Sequence, residues 1–259
     1  MSGVNDMINM PAEGGVVGLQ PGNHQLLFYN NDTEYILFDD MYSFASAKAT
    51  TRTRTRSTYM GNPFKNNDAK DEPTVTMPDM LYGNYNAKYT SERTTEMPVM
   101  NVTMHPMVFK YLVRYEFSKG LKYVSLVRGA LSGMAASVYM NNGHTTTDAA
   151  TLLYDCTLEP WGAQAIVTSF GVPDWPNSLY QPTRGPRSYA LNLEVRLKNG
   201  LIKSFDFDVT KQIEAQPQGG VIVVKGLEIS DKDGKQGGSG FDVSVDGWGD
   251  YEDIVIPLK

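Results

Sequence analysis

The stretch Tyr189–Val209, YALNLEVRLKNGLIKSFDFDV, decides the fold. On its first arm Tyr189, Leu191, Leu193, Val195 and Leu197 alternate with Ala190, Asn192, Glu194, Arg196 and Lys198. Period-two alternation marks a strand with one buried and one wet face. Beyond Asn199-Gly200 the apolar set resumes at Leu201, Phe205, Phe207 and Val209. A two-residue Asn-Gly turn would pair Leu197 with Ile202 and Leu193 with Asp206, turning Asp206 and Asp208 to the core. A three-residue loop, Lys198-Asn199-Gly200, pairs Leu197 with Leu201, Leu193 with Phe205 and Leu191 with Phe207. A one-residue slip flips every side chain, so burial selects the second register. Gly200 then takes the left-handed position of a G1 bulge, and Leu193 and Phe205 become buried neighbours. The class that follows is an antiparallel β protein with one-faced strands.

Composition agrees. The chain has 259 residues, 41% hydrophobic and 20% charged, enough for one large or two ordinary domains. Thr, Asn, Tyr and Gly are plentiful, as turn-rich β structure requires. Twenty-three basic and 29 acidic residues give a net charge of −6, which argues against a general nucleic-acid binder. A single cysteine, Cys156, excludes an internal disulfide and a cysteine-based zinc site. No apolar run approaches the roughly 20 residues of a membrane span. The opening residues Met1–Asp6 are polar, unlike a signal peptide. The expectation is a cytosolic chain, or an exported one whose leader has been removed.

Turn signals divide the sequence. Residues 1–22 are rich in Gly and Pro, followed by strand candidates at Gln25–Asn30 and Glu34–Asp39 joined by a polar turn. Thr50–Thr58 is extended and polar, residues 60–73 read as loop, and Val75–Tyr82 reads as a strand. The polar run Thr90–Glu96 marks a boundary, predicting an N-terminal β domain over residues 1–93 and a C-terminal one over 94–259. In the second unit strands are expected at Pro98–Met104, Phe109–Phe117, Leu121–Arg128, Thr151–Leu158, Gln164–Val172, Val221–Ile229 and Phe241–Trp248, with an alternating tail at Ile254, Ile256 and Leu258. One helical turn is expected at Thr210–Ala215, capped by Thr210 or Asp208.

The catalytic inventory is thin. His24, His105 and His144 lie far apart, without metal-ligand spacing. Ser132 lacks the upstream glycine of a nucleophile elbow and Ser239 the downstream one, where Phe241 stands, so both read as turns. Cys156 lies in a strand-like run and reads as a buried, inert thiol. Asp231–Gly234 starts like a calcium loop, but Asp242 stands where the loop needs Glu, so a hairpin turn is expected. No catalytic residue, metal or cofactor is assigned.

Two features suit binding. Arg52, Arg54 and Arg56 alternate along one strand face. They either blunt an edge strand with charge or form a cationic ridge for an acidic glycan or acidic partner. Trp175 and Tyr180 lie in the Pro-rich loop Gly171–Tyr180, where aromatic rings can stack on sugar faces or anchor the loop.

Several motifs, taken in order, resemble one family. They are NNDTEY (30–35), MLYG (80–83), LVRGALSG (126–133), FGVP (170–173), FDVT (207–210) and GFDVSVDGW (240–248). The set is similar to Bacteroidales cell-surface fimbrial-associated lipoproteins, the minor-fimbrium anchor-like and adhesion proteins. The resemblance implies two tandem transthyretin-like β-sandwich domains, export, lipid anchoring in the outer membrane, a role in pilus anchoring or adhesion, and no enzyme. Family precursors carry a leader ending at a lipid-modified cysteine. This chain has neither, and any membrane attachment would run through an N-terminal lipid absent from it.

The expectation is an all-β, non-enzymatic cell-surface protein of fimbrial anchor or tip type. The runner-up is a carbohydrate-binding module of a glycan-uptake system. Before Arg93 only four or five strands can be placed, and Gln25–Asn30 and Glu34–Asp39 are apolar on both faces. A sandwich short of a strand accepts one from a partner. Fimbrial or pilin subunits are therefore expected to join the N-terminal domain by β-strand addition.

Overall fold

Leu193 lies opposite Phe205 and Leu191 opposite Phe207, the register that burial selected. The computed structural model describes residues 6–55, 72–176 and 188–235. The Leu197 N–H donates to Leu201 O at 2.8 Å and Gly200 has φ +85°, so the loop is the three-residue one with its left-handed glycine. Leu193 is fully buried, but Phe205 is only partly so. Its strand lies at a sheet edge and has cover on one side only.

The described strands, in chain order, are β1 (Gly22–Tyr29), β2 (Ile36–Asp39), β3 (Lys48–Thr51), β4 (Thr74–Val75), β5 (Tyr82–Ser91), β6 (His105–Pro106), β7 (Phe109–Lys119), β8 (Val124–Ala135), β9 (Ser137–Tyr139), β10 (Ala149–Asp155), β11 (Thr157–Glu159), β12 (Gly162–Ser169), β13 (Ala190–Leu197), β14 (Ile202–Asp208) and β15 (Gly220–Glu228). Two short helices, α1 (Thr210–Glu214) and α2 (Asp231–Lys235), complete them. The chain is thus nearly all β, with several antiparallel sheets. Two parallel pairs, β15 with β7 and β4 with β10, depart from the antiparallel rule.

Two sheets enclose the larger core. One has the order β14-β13-β8-β10-β4, the other β11-β12-β7-β15. Tyr111, Val113 and Tyr115 of β7, Ala165 and Val167 of β12 and Ile222 of β15 meet Val127 and Leu131 of β8, Leu152 and Tyr154 of β10 and the inward residues of β13. The Tyr115 and Tyr154 hydroxyls, both buried, satisfy each other at 2.6 Å. This is what the low dielectric of a core demands of polar groups. A smaller core lies between the sheets β1-β5-β6 and β2-β3-β9. There Ile36, Ala49, Leu81, Val108, Val138 and Phe170 are buried, and Tyr29 of β1 meets Phe38 of β2 with ring centroids 4.7 Å apart. The long strand β8 serves both cores: Val127 and Leu131 enter the first, Ala135 the second.

The two strand candidates at Gln25–Asn30 and Glu34–Asp39 exist, but they lie in different sheets rather than in one hairpin. Asn30 and Asp79 redirect the chain between them. The Asn30 carboxamide accepts the Tyr82 N–H at 2.6 Å, and the Asp79 carboxylate accepts the Glu34 and Tyr35 N–H groups at 2.7 and 2.5 Å. The strand expected over Val75–Tyr82 shrinks to β4, and β5 begins where it was to end. Pro98–Met104 forms no strand, and Met97, Val99 and Met100 stand exposed. Ser132 sits inside β8, buried, rather than in a turn. Asp231–Gly234 is helical, not a hairpin turn, because the Ser230 Oγ accepts the Asp233 N–H at 3.1 Å and donates to its carboxylate at 2.7 Å. The Ser230 hydroxyl thus caps the start of the helix. The helix expected near Thr210 is α1. The Asp208 carboxylate accepts the Thr210 N–H at 2.9 Å, although Val209 holds the cap position.

The division proposed at residue 93 falls between β5 and β6, which pair with each other. β3 pairs with β9 and β4 with β10, so strands from before it share sheets with strands from after it. The strand expected at Phe241–Trp248, the alternating tail and Ser239 lie outside the described residues.

Candidate functional site

Arg52 and Arg54 lie past the end of β3, on the link to β4. Both are exposed. The link is not a free edge strand. The Arg54 N–H donates to Thr74 O at 2.7 Å, the Thr76 N–H donates to Arg52 O at 2.9 Å, and Thr53 forms a bridge to Val75. Backbone pairing with residues 74–76 therefore fixes this segment and leaves the two guanidinium-bearing side chains on its outside. Arg56 lies outside the described residues, as does Tyr180.

Trp175 belongs to another part of the fold, the loop after β12. Its ring packs, partly buried, against the larger core. Its N–H donates to the Thr145 hydroxyl at 2.8 Å, and its carbonyl accepts the Thr145 N–H at 2.6 Å. Asp174, at φ +63°, donates its N–H to Thr146 O. These bonds seat Trp175 as an anchor of its loop. The arginine link and Trp175 are thus positioned by separate contacts, Thr74–Thr76 in one case and Thr145 in the other.

Cys156, between β10 and β11, packs partly buried against the larger core. Burial, with the Asp155 charge beside it, pushes the thiol up to about 12. A thiol so far above neutral pH holds almost no thiolate and is a poor nucleophile. His24 gives its ring Nε2 a partner in Gln20 O at 2.7 Å. Among the described residues no group of three His, Cys, Asp or Glu side chains is placed to hold a metal ion, and no helix is long and apolar enough to cross a membrane.

One strand edge has the features of a pairing surface. β1 pairs with β5 alone among the described strands. Its sequence, GNHQLLFY, holds no Lys, Arg, Asp, Glu or Pro. Such residues are the ones that normally blunt an edge against strand pairing. One irregularity, between His24 and Leu26, protects its first half, so Leu26–Tyr29 is the open part. Leu27 and Tyr29 face the smaller core, whereas Leu26 and Phe28 are half-buried on the other face. Residues 6–21 run beside this sheet without forming a strand. Asn9 accepts a bond from Asn31, and the Tyr29 hydroxyl approaches the Met7 sulfur at 3.8 Å. Met7, Ile8, Met10 and Val16 are exposed on that segment, and Tyr82 and Tyr85 on β5. The strands that complete the two small sheets come from the later chain, as β6 and β9. Counting strands before residue 93 missed both of them.

Comparison with known proteins follows the fold. Residues 6–155 match the model of a family described as a domain of unknown function, DUF5119. The chain is 22% identical, over an alignment of 280 residues, to a Bacteroides ovatus protein named "Putative fimbrium anchoring subunit Fim4B", covering 96% of this chain and 79% of that one. A solved structure of a "putative adhesin" from Bacteroides ovatus shares the fold, with a TM-score of 0.58 at 20% identity over 82% of this chain and 78% of that one. The resemblance carried by the ordered motifs, to fimbrial-associated proteins of Bacteroidales, is therefore upheld.

Proposed function

We propose a function from the premise that the chain belongs to the DUF5119 family. It is a non-enzymatic cell-surface protein that anchors or terminates a fimbrium and contributes to adhesion. The observation that carries this reading is the similarity over 96% of the chain to a fimbrium anchoring subunit. Likeness across nearly the whole length speaks for a shared architecture rather than a borrowed module. The fold supplies a physical means. The open part of β1, Leu26–Tyr29, carries no charge or proline and can take an extended segment from a fimbrial subunit as its next strand. Main-chain bonds would give the affinity, and alternate side chains would pack against Leu26 and Phe28.

The two cores correspond in this reading to two sandwich units of transthyretin-like type, and the chain reaches the outer membrane through export and lipid attachment. Arg52 and Arg54, exposed on the link after β3, offer a cationic surface toward an acidic partner. The anchor role is tested by deleting the gene from the bacterium that makes the protein. Fimbriae should appear in the medium instead of on the cells. Fimbriae still attached, with adhesion unchanged, would overturn it.

A further inference from the structure

The outer edge of β15 is occupied by side chains. β15 is the last strand of its sheet and pairs on one side only, with β7. On its other side, Gln216 accepts the Val221 N–H at 2.7 Å and donates to Val221 O at 3.0 Å. Gln212 accepts the Val223 N–H at 2.8 Å and donates to Val223 O at 3.1 Å. A primary carboxamide offers one acceptor and a donor, the same pair that a neighbouring strand's peptide groups would present. The spacings match. Outward residues on a strand recur every ~6.6 Å, and Gln212 in α1 and Gln216 just past its end reach two successive outward residues, Val223 and Val221. Two glutamines four apart therefore stand in for two residues of a strand.

The clasp is held in place. Ile213 of α1 is fully buried, the Thr210 hydroxyl accepts the Tyr189 N–H at 3.0 Å, and the Tyr111 hydroxyl donates to Pro217 O at 2.8 Å. Further along the edge Lys225 is exposed, and the register shifts between Val224 and Leu227, around Gly226. A charge and a bulge are the usual defences of an edge. The glutamines cover the one part that lacks them, Gly220–Val224, which is uncharged and rich in β-branched residues. A bare segment of that kind is a template for pairing.

We propose that Gln212 and Gln216 close the β15 edge to strand addition, and that the occupant they exclude is the same edge of a second copy of this chain. An edge that pairs with itself makes an isologous, two-fold contact, which needs no second surface. The face beside the edge favours this occupant. Val221 lies opposite Leu112, and Leu112 opposite Ile166, on the outward side of the sheet. Val221 is 44% and Ile166 62% exposed. Two copies joined along β15 would continue this apolar row from one sheet into the next. The clasp thus keeps the β15 sheet monomeric without closing the β1 edge.

The full-length Q212A/Q216A variant tests this by gel filtration with light scattering. The wild type is expected to elute as a monomer at micromolar concentration and the variant at twice that mass. Adding Val223→Pro, which removes an outward N–H, should restore the monomer. A natively folded double variant that stays monomeric would overturn the proposal, as would a dimer that survives Val223→Pro. Should the double variant not fold, hydrogen exchange on the wild type decides. The Val221 and Val223 amides should be protected as well as those of Ile222 and Val224, which alternate toward β7. Fast exchange at Val221 and Val223 alone would overturn the clasp.

Discussion

Phe205→Ala measures how a sheet edge discounts a buried aromatic. Removing a fully buried Phe side chain costs about 3–5 kcal/mol. Phe205 is only partly buried, because β14 ends its sheet, and it rests on the larger core and on Phe207, with parallel rings at 6.3 Å. Roughly half of the full loss is therefore expected, about 1.5–2.5 kcal/mol. Its cross-strand neighbour Leu193 is fully enclosed, so Leu193→Ala should cost more, about 3–4 kcal/mol. As direct partners the two should couple by about 0.5–1 kcal/mol in the double variant. Urea unfolding of the four proteins, read at constant m-value, gives all three quantities. The reasoning fails if Phe205→Ala costs more than Leu193→Ala, or if the two losses simply add.

Three further outcomes are expected. Gly129→Ala should lower stability by about 2–3 kcal/mol, because its Cβ would come within 2.2–2.5 Å of the enclosed Tyr154 ring; an unshifted thermal transition would show that the ring can move aside. Cys156 should ignore a disulfide reagent at pH 8 in the folded protein and react at once in denaturant, since burial holds its thiol at about 12; rapid labelling of the native state would contradict this. Alkaline pH should destabilise the fold. Burial raises Tyr111 from its usual 10 to about 12, Tyr115 well above 10, and Cys156 to about 12. All three are raised in the folded state, so their contribution is complete below their unfolded values and is lost as pH climbs from about 9 through 12. Denaturant midpoints that stay flat across that window would refute it.

Legibility in the sequence followed burial. β7 and the second half of β13 alternate because one face meets a large core, and the hairpin register followed from the alternation of the apolar residues. β5 could not be found in this way. It is ten residues long, but Gly83 is its sole buried position, so it has no apolar period to read. Pro98–Met104 shows the converse, an apolar run in which Val99, Met100 and Met104 stay at the surface. Helix α2 was legible in principle, through Ser230 and Asp233 three residues on, but the Asp233-Gly234 pair reads equally as a hairpin turn. Of the candidate site, the apolar faces of Gln25–Asn30 were visible in sequence, whereas the openness of the β1 edge depends on which strand pairs with β5. The glutamine clasp had no local signal, since it requires α1 to lie along β15. Sequence left Trp175 as either a sugar platform or a loop anchor, and its backbone bonds to Thr145 and its packing on the core are those of an anchor.

Hydrogen exchange on β1 tests the central claim most directly. The full-length protein is measured with and without fimbrial subunits encoded at its own locus, at concentrations where binding is demonstrated separately. The account predicts new protection at the β1 amides within Leu26–Tyr29 that face away from β5, with little change along β15. Binding with unchanged exchange throughout the first 93 residues would contradict it and move the interface to the larger sheets.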